Sequence, residues 1–217
     1  MVEGMIYILR SGCPWRDLPE RFGPWSSVYT RWSRWAHEGV WAAILDFLAE
    51  DAEGELRHLD SSHIKVHQDA SNPAGGQENQ ALGRTKGGLN TKVTALVDGR
   101  GRAVQLALAP GQRNDTIAAE DIVFPERKKI VADKGYDSNR FRERIVSAGS
   151  EPCIPPRAGR LAPAKYHPGH YRKRHRVENF FQRIKRRRRI GTRYEKLDIT
   201  FFAFLTLAAV LDWLKPF

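Results

Sequence analysis

The stretch NTKVTALVDGRGRAVQLALA, residues 90–109, decides the fold. Its two runs, NTKVTALVD and AVQLALA, are rich in Val, Leu and Thr and flank Gly99-Arg100-Gly101, so it reads as two strands joined by a hairpin connection. Upstream, LRHLD (56–60) is another β-like run, separated from the pair by a Gly/Asn/Gln-rich loop over 72–88. Downstream, Asp115 reads as the cap of a helix to about residue 123, KKIVAD (128–133) as a buried strand, and Asp137 or Ser138 as the cap of a helix to residue 148. EPCIPP (151–156) is a further short strand, followed by a loop rich in Pro, Gly and Arg. A long helix is predicted over 171–189 and an apolar one over 200–214. Three strands, a helix, a strand, a helix, a strand and helices describe a mixed α/β sheet whose first three strands are antiparallel.

The 217 residues are 41% hydrophobic and 28% charged, the composition of a globular protein with a real core. The formal charge is +11, and it is not spread evenly. Residues 157–196 hold fifteen Lys and Arg against two acids, Glu178 and Glu195, so this window carries +13 and the rest of the chain −2. Clustered cations gain free energy by releasing the counterions condensed on phosphates, which points to a nucleic acid; a solvated basic face is the plainer alternative. The longest apolar run, 201–211, is too short to span a bilayer, and MVEGMIYILRSG lacks the pattern of a secretion signal. Cys13 and Cys153 stand alone, which excludes a disulfide framework and a cysteine zinc site, and a cytoplasmic protein is expected.

Five of the six tryptophans (Trp15, Trp25, Trp32, Trp35 and Trp41) fall within the first 41 residues and mark residues 1–50 as a separate helical unit, distinct from 55–217. Helices are predicted over 2–10, from Ser26 or Ser27 to 36, and over 40–49, with the Pro-rich turn CPWRDLPERFGPW between the first two. Val28, Trp32 and Trp35 share a helical stripe and read as packing. Arg31 and Arg34 lie off it and are candidate DNA contacts.

Three acids stand where a metal could bind: Asp60 at the end of LRHLD, Asp133 at the end of KKIVAD, and Glu178 inside the basic helix. Carboxylates are the ligands Mg²⁺ prefers, and such a site suits phosphodiester chemistry. At about 100° per residue, Tyr171, Arg174, Glu178 and Lys185 share an arc of about 60° on the predicted helix, so an acid is extended on both sides by groups able to hold a phosphate backbone. Arg176 and Arg187 point elsewhere. The plainer readings are an ion pair between Glu178 and Arg174 or a contact with Gln182, and capping or turn roles for Asp60 and Asp133. His63 and His67, four apart, are a weaker candidate zinc pair.

The runs LDSSHIKVHQ (59–68), GRTKGGLNTK (83–92), APGQRND (109–115), ADKGYDS (132–138) and RIGTRYEK (189–196) resemble the motifs of bacterial insertion-sequence transposases of the DDE type, in the insertion-sequence-five group. Tyr171, two residues, Arg174, three, Glu178, six, Lys185 matches that superfamily's Y-R-E-K pattern at every spacing. The resemblance implies a ribonuclease H-like catalytic domain behind a small helical one, with Asp60, Asp133 and Glu178 as metal-binding catalytic residues. Mg²⁺ or Mn²⁺, as two ions, would serve cleavage of element ends and strand transfer into target DNA. Tyr171, Arg174, Lys185, Arg183 and Arg187 would contact double-stranded DNA, and synapsis of two ends implies a homo-oligomer. The expected setting is the bacterial nucleoid. The alternative is a decayed transposase acting as a DNA-binding repressor; an RNA-directed nuclease and an inactive RNA-associated protein are the other rivals.

Overall fold

The computed structural model describes residues 1–215, so the last two residues of the expected 55–217 unit lie outside the described residues. Three helices open the chain: α1 (Val2–Ser11), α2 (Trp25–His37) and α3 (Val40–Ala49). Gly12 ends α1 with φ at 71°, a left-handed conformation that suits glycine, and a Cβ there would stand 2.8 Å from the Arg188 Cβ. Next come β1 (Leu56–Val66), β2 (Gly83–Thr85), β3 (Gly88–Val97), β4 (Ala103–Pro110), α4 (Asp115–Ala118), β5 (Lys129–Val131), α5 (Asn139–Ser147) and β6 (Glu151–Cys153). The chain closes with α6 (Pro168–Tyr171), α7 (His175–Lys185), α8 (Arg188–Gly191), β7 (Thr192–Arg193) and α9 (Asp198–Trp213).

β1 is the central strand. β3 lies antiparallel beside it, with β2 and then β4 along the outer edge of β3, while β5 and β6 continue the sheet in parallel on the other side. An antiparallel run β4-β3-β1 on one side, continued by the parallel β5 and β6 on the other, makes the mixed ribonuclease H-like sheet that the resemblance implies, and β7 pairs in parallel with the end of β1. β1 runs six residues past Asp60, because an unbroken ladder from His58 opposite Val97 to Lys65 opposite Asn90 holds even the polar SSHIKV segment extended.

Two other predicted elements change. α4 stops after four residues, capped by Asn114 rather than Asp115, because Gln105 ties the Val123 backbone to β4 through two hydrogen bonds. The helix predicted over 171–189 is broken: Arg172–Arg174 form a 3-10 turn, and α7 ends at Lys185 before Arg187 turns extended. That turn lets Arg189 reach back to Glu195 and to the carbonyls of Gly12 and Cys13.

The opening helices share their core with the rest of the chain. Trp32, fully buried, stacks on Phe204 of α9 with ring centroids 4.0 Å apart, and Met5, Ile8, Trp41 and Leu45 join the same cluster as Val93, Phe180 and Phe201. Phe201, Phe204, Leu205 and Ala208 are all buried, so that face of α9 closes the core. No described helix is long and apolar enough to cross a membrane.

Candidate active site

Asp60 lies midway along β1, and the parallel pairing of β1 with β5 decides its neighbour. Leu56, Arg57 and His58 stand beside Lys129, Ile130 and Val131, and Asp133 follows two residues past the end of β5, near enough for its charge to act on Asp60. The Asp133 side chain caps the 3-10 turn Lys134–Tyr136 by accepting from the Gly135 backbone N–H. A Cβ at Gly135 would stand 2.6 Å from Asp133 Oδ1, so a larger residue there would push the carboxylate aside.

α7 crosses β1 and brings Glu178 to the same place. Arg174, one turn earlier, donates from Nη1 to Asp60 Oδ2 at 2.7 Å and from Nη2 to Glu178 Oε1. One guanidinium therefore bridges an acid of the central strand and an acid of the helix, 118 positions apart. Burial works to lower the Arg174 pKa, but the charges of Asp60 and Glu178 outweigh it and hold it above the usual arginine value. Burial raises the Asp60 carboxyl above the ordinary aspartate value, with the Asp133 charge adding to it against the Ser61 N–H and Arg174.

Two of the plainer readings are met: Glu178 pairs with Arg174 and Asp133 caps a turn. The donors are hard carboxylate oxygens of the kind Mg²⁺ and Mn²⁺ take, and two of them already face a common cation, so the residues fit a divalent metal in kind. Among the described residues, no three Asp, Glu, His or Cys side chains are grouped as a ready metal cage. Zinc at His63 and His67 is ruled out by β1, which spaces them about 13 Å apart along the strand direction. His63 Nδ1 instead pairs with Asn90 Oδ1 at 2.8 Å.

The cations of the Y-R-E-K spacing divide by partner. Lys185 donates to Ser62 Oγ at 2.6 Å and to the His63 carbonyl, clamping α7 to β1, and burial lowers its pKa. Tyr171 packs against Leu56, Val131 and Cys153 beside the end of β5. Arg183 and Arg187 do not present the guanidinium groups expected of DNA contacts. Arg183 is bound to the buried Asp212 at 2.8 Å and to the Gly101 carbonyl, and Arg187 is itself buried. The exposed cations of this segment are Arg172, Lys173, Arg186 and Arg188. On α2, Arg34 is exposed and pairs loosely with Glu38 at 3.8 Å, while Arg31 lies over the Trp35 ring.

Sequence reasoning missed the hydroxyls behind Asp60. Ser61 Oγ bonds both Thr94 Oγ1 and Tyr136 Oη at 2.8 Å, tying β1, β3 and the turn after Asp133 together. The Tyr136 phenol is pushed well above its ordinary pKa, chiefly by burial. The tyrosine of ADKGYDS was the signal that could have found them, but its partner lies 75 residues upstream.

Residues 52–213 match the family described as "Transposase DDE domain", and residues 1–45 match "Putative transposase of IS4/5 family". A putative transposase for insertion sequence element IS6501 from Brucella ovis is 30% identical over 132 residues, which covers 58% of this chain and 100% of that protein. The uncharacterized protein y4sN of Sinorhizobium fredii is 39% identical over 70 residues, 32% of this chain and 56% of that one. Among solved structures, the piggyBac transposase synaptic complex with hairpin DNA aligns over 81% of this chain and 51% of its own, with a TM-score of 0.44 and 8% identity. The chain thus spans about half the length of y4sN and of piggyBac. With the DDE domain matched over most of the chain and an insertion-sequence transposase matched over its full length, this protein belongs to the DDE-type insertion-sequence transposases of the IS4/5 family.

Proposed function

We propose that the protein cleaves the DNA ends of its insertion sequence and transfers them to a target in a metal-dependent reaction. The observation that carries this reading is the meeting of Asp60 and Glu178 on one guanidinium, with Asp133 near enough for its charge to act on Asp60. Asp60, Asp133 and Glu178 would hold Mg²⁺ or Mn²⁺. When bound, such ions lower the pKa of an attacking water or hydroxyl and offset charge on the attacking and leaving oxygens. The chain's own part would be positional: β1 and the turn after β5 would carry the two aspartates, and Lys185, bound to Ser62 of β1, would hold α7 and its Glu178 against that strand. The exposed Arg172, Lys173, Arg186 and Arg188 would follow the phosphate backbone, with Arg31 and Arg34 as further contacts from α2, while Tyr171 and Arg174 lie nearest the cut. Two protomers would bring two element ends together.

The test uses a duplex carrying the DNA that flanks the gene. Asp133→Asn is expected to abolish Mn²⁺-dependent nicking and to retain DNA binding within about threefold. Nicking by that variant at the wild-type rate would remove Asp133 from the site. Absence of nicking by the wild-type chain with either metal, together with tight binding of the flanking DNA, would favour the repressor.

A further inference from the structure

One oxygen of each of two candidate metal ligands, Asp60 Oδ2 and Glu178 Oε1, is held by an arm of Arg174. We infer that Arg174 couples metal loading to DNA binding: its guanidinium occupies Asp60 and Glu178 until a DNA phosphate draws it away and leaves both carboxylates to the metal. This rests on the metal-binding reading of the three acids proposed above.

Three observations support the exchange. Arg174 is partly exposed, with 20% of its side-chain surface open, so it can reach an incoming strand. Its flanking residues Arg172 and Lys173 are exposed cations, so DNA drawn to this segment arrives beside it. Asp60 and Glu178 are themselves partly open, with 22% and 44% of their side-chain surface exposed, so both carboxylates are within reach of a cation once the guanidinium moves. An arginine suits the part because its planar fork satisfies two carboxylates at once and pairs equally well with a phosphate. Arg174 is then a positioning residue, and by linkage metal and DNA must each raise affinity for the other by the same factor. Away from DNA the site loads poorly, which limits stray nicking.

The experiment is calorimetric titration of Mn²⁺ into the full chain, with and without a saturating 20 bp duplex of arbitrary sequence. For the wild type, the duplex is expected to tighten Mn²⁺ binding about tenfold, the order of one charge-assisted hydrogen bond. Arg174→Gln is expected to bind Mn²⁺ about tenfold more tightly than wild type without DNA and to show less than about twofold coupling to the duplex. Arg174→Lys, which keeps the charge but holds one carboxylate at a time, is expected to fall between the two and guards against a folding defect in the glutamine variant. Weaker or unchanged Mn²⁺ binding by Arg174→Gln would overturn the inference, since the arginine would then organise the acids instead of competing for them. Asp60→Asn separates this failure from that of the metal reading. If Asp60→Asn abolishes Mn²⁺ binding while Arg174→Gln leaves it unchanged, the inference alone falls. If Asp60→Asn leaves binding intact, the acids are not the metal ligands and both fall.

Discussion

Acidification should destabilise this protein well above the pH at which its carboxylates protonate, and His58 supplies the reason. His58 lies on β1 with no exposed surface, and among the described residues neither ring nitrogen has a hydrogen-bond partner. Burial lowers its pKa from 6.5 to about 3, with the nearby charges of Arg176 and His175 adding to the effect. Because the folded pKa is depressed, the unfolded chain takes up a proton below pH 6.5 that the folded chain refuses. Stability is therefore full above pH 6.5 and falls as the pH drops toward 3. At about 1.4 kcal/mol per pH unit, the loss at pH 5 is about 2 kcal/mol. His58→Leu keeps a similar volume and removes both unpartnered nitrogens, so at pH 7.5 it should be as stable as wild type or more so. The assay is urea unfolding in EDTA at pH 7.5 and pH 5, followed by circular dichroism. Between those pH values the wild-type midpoint should fall by about 1 M more than that of His58→Leu, taking a slope of about 2 kcal/mol per molar. Subtracting the variant removes the contribution of the other histidines. Equal shifts for the two proteins would show that His58 takes up its proton in the folded state, and burial would then not control its charge.

Other substitutions test separate parts of the fold and site. Trp32→Ala should cost about 3–5 kcal/mol, and because α2 shares its core with α9 and the sheet, helix and sheet signals should melt together; two separate transitions would contradict a common core. Arg183→Met should lower stability by about 3 kcal/mol, because the buried Asp212 is left only its 3.4 Å contact with the exposed Lys215, yet leave the salt dependence of DNA binding unaltered. Replacing the exposed Arg186 and Arg188 with Ala should instead reduce that salt slope by about 1 for each phosphate no longer neutralised, read from fluorescence anisotropy over a salt series. Gly135→Ala should weaken Mn²⁺ binding several-fold in a calorimetric titration, because the new Cβ meets the Asp133 carboxylate at 2.6 Å; unchanged affinity would separate that carboxylate from the metal.

Much of this could be read from local pattern. The 90–109 hairpin, the buried KKIVAD strand and the apolar last helix depend on periodicity and turn residues within a few positions, and the Y-R-E-K spacing keeps Glu178 and Lys185 on one face of α7, while the 3-10 turn at Arg172–Arg174 takes Tyr171 and Arg174 off the single predicted arc. The acids' chemistry was legible for the same reason, since a lone carboxylate inside a basic helix is conspicuous without coordinates. Partner choice was not legible. Helical spacing gives the direction of a side chain but not what stands opposite it, so Arg183 and Arg187 looked like phosphate ligands until the fold set Asp212 against one and buried the other. The same holds for the +13 window: Arg174, Lys185, Arg189 and Arg193 are engaged by carboxylates, hydroxyls and carbonyls from distant segments. The cations left facing solvent, Arg172, Lys173, Arg186 and Arg188, could not be told from these by spacing alone. The meeting of Asp60 and Glu178 on Arg174 belongs to the tertiary structure as well, because helix packing across 118 positions is set by the sheet and its core, which no local window contains.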